Sequence, residues 1–392
     1  MKFLAVISVL VASALARGNE RNKQRFFQRV GVFPICSQID AACDTDDETL
    51  AEIVTSTEDG NTLIYTDSET GSVGFVDISD PANPLPGGVY ETDGEPTSVA
   101  VVRQFALVVV DESPDFVNPA GSLLVIDIES RELITSVDLG GQPDSIAVSP
   151  DGMYAIVCIE NQRDEDVNDG AMPQLPAGFV VVVDLVGDPD TWTTSQVVLT
   201  GLPNIKFPED PEAEFASINK YNVAAVTLQE NNGIVLIDLE TKSVIRSIDA
   251  GQVDLTNVDV SSDGIILQTE TALNIPREPD GAVWISKRYF ATADEGDLDG
   301  GSRGFTIFDS RDGSIAFTSG TSIDQLAASV GHYPEGRSKN KGSEPENVAF
   351  GVFMGERLLF VNVERSNAVL VYDVSSPTRP IFRQVRKFCV DQ

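Results

Sequence analysis

The chain holds a single histidine, His332, in 392 residues. That scarcity excludes clustered-histidine metal centres and leaves little basis for a histidine-driven hydrolytic triad. No phosphate-cradling glycine loop, reactive Cys-x-x-Cys pair or dinucleotide fingerprint occurs, which sets aside the common nucleotide and thiol chemistries. Basic residues are also few: 27 Lys and Arg stand against 61 Asp and Glu, a formal net charge of −34. So negative a protein repels nucleic acid and anionic membranes, and its natural counterparts are divalent cations or basic proteins and matrix components. After residue 17 no apolar run is long enough to cross a bilayer, so no transmembrane segment is expected in the mature chain. The absence of any Asn-x-Ser/Thr sequon removes N-glycosylation as a factor.

Cysteine is sparse as well, and four of them allow three pairings. Cys36 and Cys43 flank a short acidic loop and are the expected disulfide, whereas Cys158, inside an apolar strand, and Cys389, near the end, are as readily free as joined. Residues 1–16, MKFLAVISVLVASALA, carry Lys2, a short apolar run and the small-x-small site Ala14-Leu15-Ala16, the pattern of a cleaved secretion signal. A secreted or extracellular protein, with room for association with the cell surface, is the expectation. Residues 17–49 form a basic N-terminal segment with the Cys36/Cys43 loop, and residues 50–392 read as one further domain.

What the chain does have is repetition. Six times a strand rich in Val, Ile and Phe ends in aspartate: at Asp77, Asp127, Asp184, Asp238, Asp309 and Asp373. Each of these is preceded by a second signature, among them EPTSVAV at Glu95, QPDSIAV at Gln142, EAEFASI at Glu212, EPDGAVWI at Glu278 and EPENVAF at Glu344, with a further apolar run between the two. Apolar runs of this length, separated by Gly, Asp, Asn and Pro, are strands buried on one or both faces. A four-stranded unit copied around an axis gives an all-β β-propeller, with one short helix expected at Ile323 to Val330. Propellers of this size are single closed units, and a monomer is expected.

The innermost strand of a blade starts where the second strand ends, because the two are antiparallel neighbours. Aligned at the first position are Glu52, Thr97, Asp144, Glu214, Asp280 and Glu346; at the second are Asp67, Glu112, Glu160, Glu230, Glu295 and Glu364. Two circles of carboxylates at one channel mouth must protonate, pair with arginine or bind metal, since each like-charged pair at about 4 Å costs about 1 kcal/mol in water and about 4 kcal/mol at an effective dielectric near 20. The alternative is that these acids are solvated turn formers. Two loops on the same face strengthen the metal reading. Glu295, Asp297 and Asp299 before Gly300 have the spacing of the first half of a calcium loop, and Asp164, Asp166, Asn168 and Asp169 precede Gly170 in the third repeat. Oxygen-only ligands favour Ca²⁺ or Mg²⁺ over zinc. Arg277, Arg303, Arg337 and Arg365 are the candidates to meet an anion bound at such a metal.

Several longer segments carry a family resemblance: DISDPANP at Asp77, VTLQENNGIVLIDLET at Val226, ATADEGD at Ala291, GRSKNKGSEPENVAFG at Gly336 and ERSNAVLVYDVSSPTRPIF at Glu364. With these the chain resembles choice-of-anchor I proteins, which include mesenchyme-specific cell surface glycoproteins of biomineralising animals. The resemblance implies a seven-bladed fold, of which this chain shows six clear repeats and an incomplete last blade, an extracellular or envelope location, and a loose tie to calcium and mineral. Ring closure then falls to the segment around Val30 to Ile35, or the ring stays open. The first functional expectation is a non-catalytic, calcium-binding secreted propeller in a matrix or biomineralisation setting. The second is a metal-dependent phosphoesterase, alkaline phosphatase-like or phytase-like, on the same face, for which at least one of the four arginines must reach the metal. A protein-binding scaffold is the third.

Overall fold

A computed structural model describes residues 6–10, 27–46 and 48–387. Six four-stranded antiparallel sheets succeed one another along the chain: blade 1 (51–91), blade 2 (95–138), blade 3 (143–198), blade 4 (216–249), blade 5 (282–318) and blade 6 (345–387). The first strands of successive blades lie side by side from blade 1 through to blade 6, which makes the domain a β-propeller. The expected incomplete seventh blade does not follow the sixth among the described residues, and the sixth is itself complete, ending in the strand Ile381–Lys387.

The second and third strands of each blade are rich in buried apolar residues because both of their faces are covered. In blade 3, Val157, Val181 and Val183 pack with Leu107, Val109, Leu123 and Val125 of blade 2. The alternate residues Ile156, Val180 and Val182 pack with Ala224, Val226, Val235 and Ile237 of blade 4. Strand geometry sends neighbouring side chains to opposite faces, so one run of Val and Ile serves two interfaces. The aspartates that close the third strands hold turns. Asp77, Asp238 and Asp373 accept backbone N–H bonds from Ser79, Thr241 and Ser375 at 2.8–2.9 Å, the Asx-turn geometry.

The seam between blades 6 and 1 is filled by the N-terminal segment. Phe27 stacks edge-on against Phe353 and Phe360 of blade 6, with centroids 5.2 and 5.1 Å away, and its backbone exchanges hydrogen bonds with Gln384. A few residues on, Phe33 and Ile35 bury themselves against Tyr65, Val76 and Ile78 of blade 1. The expected segment around Val30 to Ile35 thus lies on the first blade, and it is Phe27, just ahead of it, that reaches the last. Its strand Arg29–Pro34 also pairs with Val6–Leu10. The disulfide Cys36–Cys43 closes the turn that follows; Cys158 is a buried free thiol, and Cys389 lies outside the described residues.

Two insertions complete the domain. A hairpin of Gln252–Val258 and Glu270–Pro276 separates blades 4 and 5, and the helix Ser322–Ser329 sits at the site expected for one. They brace each other: Arg303 donates to the carbonyls of Asp259, Ser338 and Asn340 and lies 3.3 Å from Asp324.

Candidate functional site

A slip in strand register aims the first circle of acids. Blades 1, 2, 3 and 6 each carry one extra residue at the start of the first strand, between Ala51 and Val54, Pro96 and Ser98, Pro143 and Ile146, and Pro345 and Val348. Glu52, Thr97, Asp144 and Glu346 fall inside these bulges, which release a side chain from the alternation of the sheet and re-aim it. Glu214 and Asp280 stand just ahead of the short first strands of blades 4 and 5, with backbone N–H bonds to the carbonyls of Thr227 and Ala293.

The acids of the two circles confront one another, most densely in blades 3 to 6. Burial, followed by the charges of Glu230 and Glu52, pushes Asp144 up to about 7. Glu346 also reaches about 7, through burial and then Glu364, Glu295 and Glu52. Burial raises Glu214, Glu160 and Asp280 well above the usual carboxylate range, and each feels acids of neighbouring blades. Glu230 and Glu295 are pushed to about 7 by burial against the opposing pull of Arg163 and Lys341 respectively. Blades 1 and 2 differ. Asp67 accepts backbone N–H bonds from Leu50 and Thr70, and Glu112 is held by the Ser122 hydroxyl at 3.0 Å.

One group converges tightly. Glu295, Glu344 and Glu364 each present a carboxylate oxygen, all within 4.8 Å of one another. Such spacing suits a hard cation with ligand distances of about 2.4 Å. Around the group stand three basic side chains. Arg337 forks onto Glu344 at 2.6 and 3.1 Å, Arg365 reaches Glu344 at 3.2 Å and Glu364 at 3.0 Å, and Lys341 lies 3.8 Å from Glu295 and 3.6 Å from Asp297. Arg277 and Arg303 are elsewhere: Arg277 is buried on Thr306, the carbonyls of Ala250 and Gln252, and Asp294. Two of the four expected arginines thus reach the mouth, and two are internal braces.

The loop expected to wrap a cation is organised differently. The amides of Asp297, Asp299 and Gly300 converge at 2.9–3.1 Å on the buried carboxylate of Glu278, so the acidic spacing builds a nest for a carboxylate. The side chain of Asp297 pairs with Arg163 and Lys341, and that of Asp299 with Lys206 at 3.0 Å. In the other acidic loop Asp164 caps the amide of Asp166 at 2.9 Å, Gln174 ties the loop, Asn168 included, together through three of its carbonyls, and Asp164 and Asp166 join no convergent group of carboxylate oxygens among the described residues.

Sequence reasoning passed over Glu344, Glu278 and Glu212, which open their repeat signatures two residues ahead of the first circle. Each binds a neighbouring loop or arginine: Glu212 lies 3.4 Å from Arg163 Nη1, which also meets Glu230 at 2.8 Å. Their recurrence was visible, but a glutamate beside proline near a strand start reads equally as punctuation.

Solved structures with this architecture are distant in sequence. The chain is 17% identical to the hydrazine synthase of Kuenenia stuttgartiensis, over 82% of this chain and 76% of that one, with a TM-score of 0.50. Against virginiamycin B lyase from Staphylococcus aureus the figures are 10%, 89%, 87% and 0.54, and against the WD40 repeats of RRP9 they are 7%, 88%, 81% and 0.56. At such identity the likeness is one of fold alone. No curated protein matches the chain. The family model of the choice-of-anchor I domain matches residues 52–300 and 298–377, and with that coverage the chain belongs to the choice-of-anchor I family.

Proposed function

We propose that this protein is a surface or secreted propeller that binds divalent cations, calcium foremost, at its carboxylate-lined channel mouth, in an extracellular matrix or mineral setting. Family membership supports the location, and no helix among the described residues is long and apolar enough to cross a membrane. The observation that carries the cation reading is the convergence of Glu295, Glu344 and Glu364 within 4.8 Å, set beside buried acids that lack enough basic partners. Glu230 keeps one carboxylate oxygen buried without any hydrogen bond, and an unpaired buried acceptor of this kind gains from a cation that approaches it. Calorimetric titration of the purified protein with calcium, with a thermal melt alongside, tests the reading. Binding raises the melting temperature by mass action; a flat titration with an unchanged melt removes it and leaves a protein-binding scaffold.

A second reading has one observation in its favour. Arg337, Arg365 and Lys341 stand beside the converging carboxylates, so an oxyanion on a bound metal would meet cationic donors at once, the arrangement a phosphoesterase needs. Turnover of para-nitrophenyl phosphate with calcium or magnesium present distinguishes the two readings.

A further inference from the structure

A cavity of about 580 Å³ opens between the disulfide-closed N-terminal turn and blade 1, and none of Glu295, Glu344 and Glu364 lines it. Its floor is Ile35, Tyr65 and the buried carboxylate of Asp67, and its rim carries Glu48, Glu69 and Glu91. Tyr65 lies flat against Gly74 of the adjoining strand, where any Cβ would collide with the ring. One wall is tied down by Gln38, whose amide donates to the Phe75 carbonyl at 2.7 Å and accepts from the Gly88 amide at 3.2 Å. The Cys36–Cys43 bridge holds the turn that presents Gln38.

We infer that this cavity is a binding site for a small organic ammonium group. Its lining contains four carboxylates and no basic side chain, which selects a cation. The size and the aromatic and aliphatic floor fit an organic molecule, since sites of roughly 300–1,000 Å³ with apolar walls and few polar anchors are those that hold small ligands. A bare metal ion suits it less, because no three carboxylate oxygens converge here among the described residues. Asp67 supplies the anchor at depth. Its Oδ1 is used by the amides of Leu50 and Thr70, while Oδ2 accepts no hydrogen bond among the described residues and the residue is only 2% exposed. An ammonium seated in the cavity meets that oxygen directly, with Tyr65 in the surrounding wall.

The ammonium could belong to a free amine or to the lysine side chain of a protein, and calorimetry separates them. 1,5-Diaminopentane and N-acetyl-lysine methylamide are titrated into the full chain at low salt, with 1,5-pentanediol as the neutral control. Heat from either amine and none from the diol supports the site, the diamine alone pointing to a free amine and the lysine derivative alone to a protein segment. The surface variant Glu69→Gln with Glu91→Gln lowers amine affinity about tenfold or more, the loss of one charge-assisted contact. Asp144→Asn in the channel leaves it unchanged. Opening the wall with Cys36→Ser and Cys43→Ser weakens binding by a similar factor. The inference is overturned if neither amine exceeds the diol, or if the double glutamine variant binds as tightly as the native protein.

Discussion

Arg163 Nη1 sits 2.8 Å from Glu230 Oε1, with the arginine side chain 7% and the glutamate side chain 3% exposed. The same guanidinium meets Glu212 and Asp297, so one cation from blade 3 holds three acids of blades 4 and 5. Removing one partner of a buried ion pair strands the others without compensation, at about 3–5 kcal/mol. Arg163→Met is expected to lose stability of that order at pH 7, read from urea unfolding. The loss shrinks at pH 5, because Glu230, pushed up to about 7 chiefly by burial, is then protonated.

The stability of the calcium-free protein falls as pH rises from about 5 to about 7. Burial lifts Asp144, Glu230, Glu295 and Glu346 to about 7, above their ordinary values of 3.8 and 4.5. Between those values the folded chain holds more protons than the unfolded one, so deprotonation favours unfolding. Urea midpoints across the range, with and without calcium, check the slope: a bound cation favours the ionised acids and flattens it. Midpoints that climb through the same window without calcium would contradict the burial of these groups.

At the proposed cation site Lys341 is a built-in competitor. Its ammonium, 3.8 Å from Glu295 and 3.6 Å from Asp297, occupies charge that an incoming ion needs. Lys341→Met is expected to tighten calcium binding about tenfold in a calorimetric titration, equivalent to about 1.4 kcal/mol. An unchanged or weaker affinity would place the ion away from Glu295.

Phe27→Ala tests the seam. The ring packs edge-on with both Phe353 and Phe360, contacts worth about 0.5–1.5 kcal/mol each beyond the area they bury. The variant is expected to lower stability by about 2–3 kcal/mol and to speed hydrogen exchange in the outer strands of blades 6 and 1 while leaving blade 3 protected. Uniform loss of protection would mean that the seam is not a local closure.

Much of the architecture was legible because strand pattern is local. A run such as residues 179–183 can be apolar at every position only if neighbours cover both faces, and six such runs at similar spacing leave few arrangements besides a ring. Asp144 and Glu230 could be assigned to one end of that ring for the same reason, since antiparallel pairing fixes which strand ends meet. The backbone of the loop from Glu295 to Gly300 was not legible, because backbone direction is not written in residue type. The same acidic spacing can fold its oxygens onto a cation or its amides onto Glu278, and Glu278 comes from a preceding segment whose approach depends on the whole blade.

The order and polarity of residues were sufficient to specify strands, turns and the excess of negative charge, all of which depend on neighbours a few positions apart. Contacts across tens or hundreds of residues decided the rest: that Arg365 reaches back to Glu344 while Arg277 turns inward, that Phe27 reaches Gln384 to fill the gap between first and last blades, and that Ile35 and Asp67 line one cavity. Those pairings arise only when the ring closes, because burial and distance, the quantities that set their energies, are properties of the assembled blades.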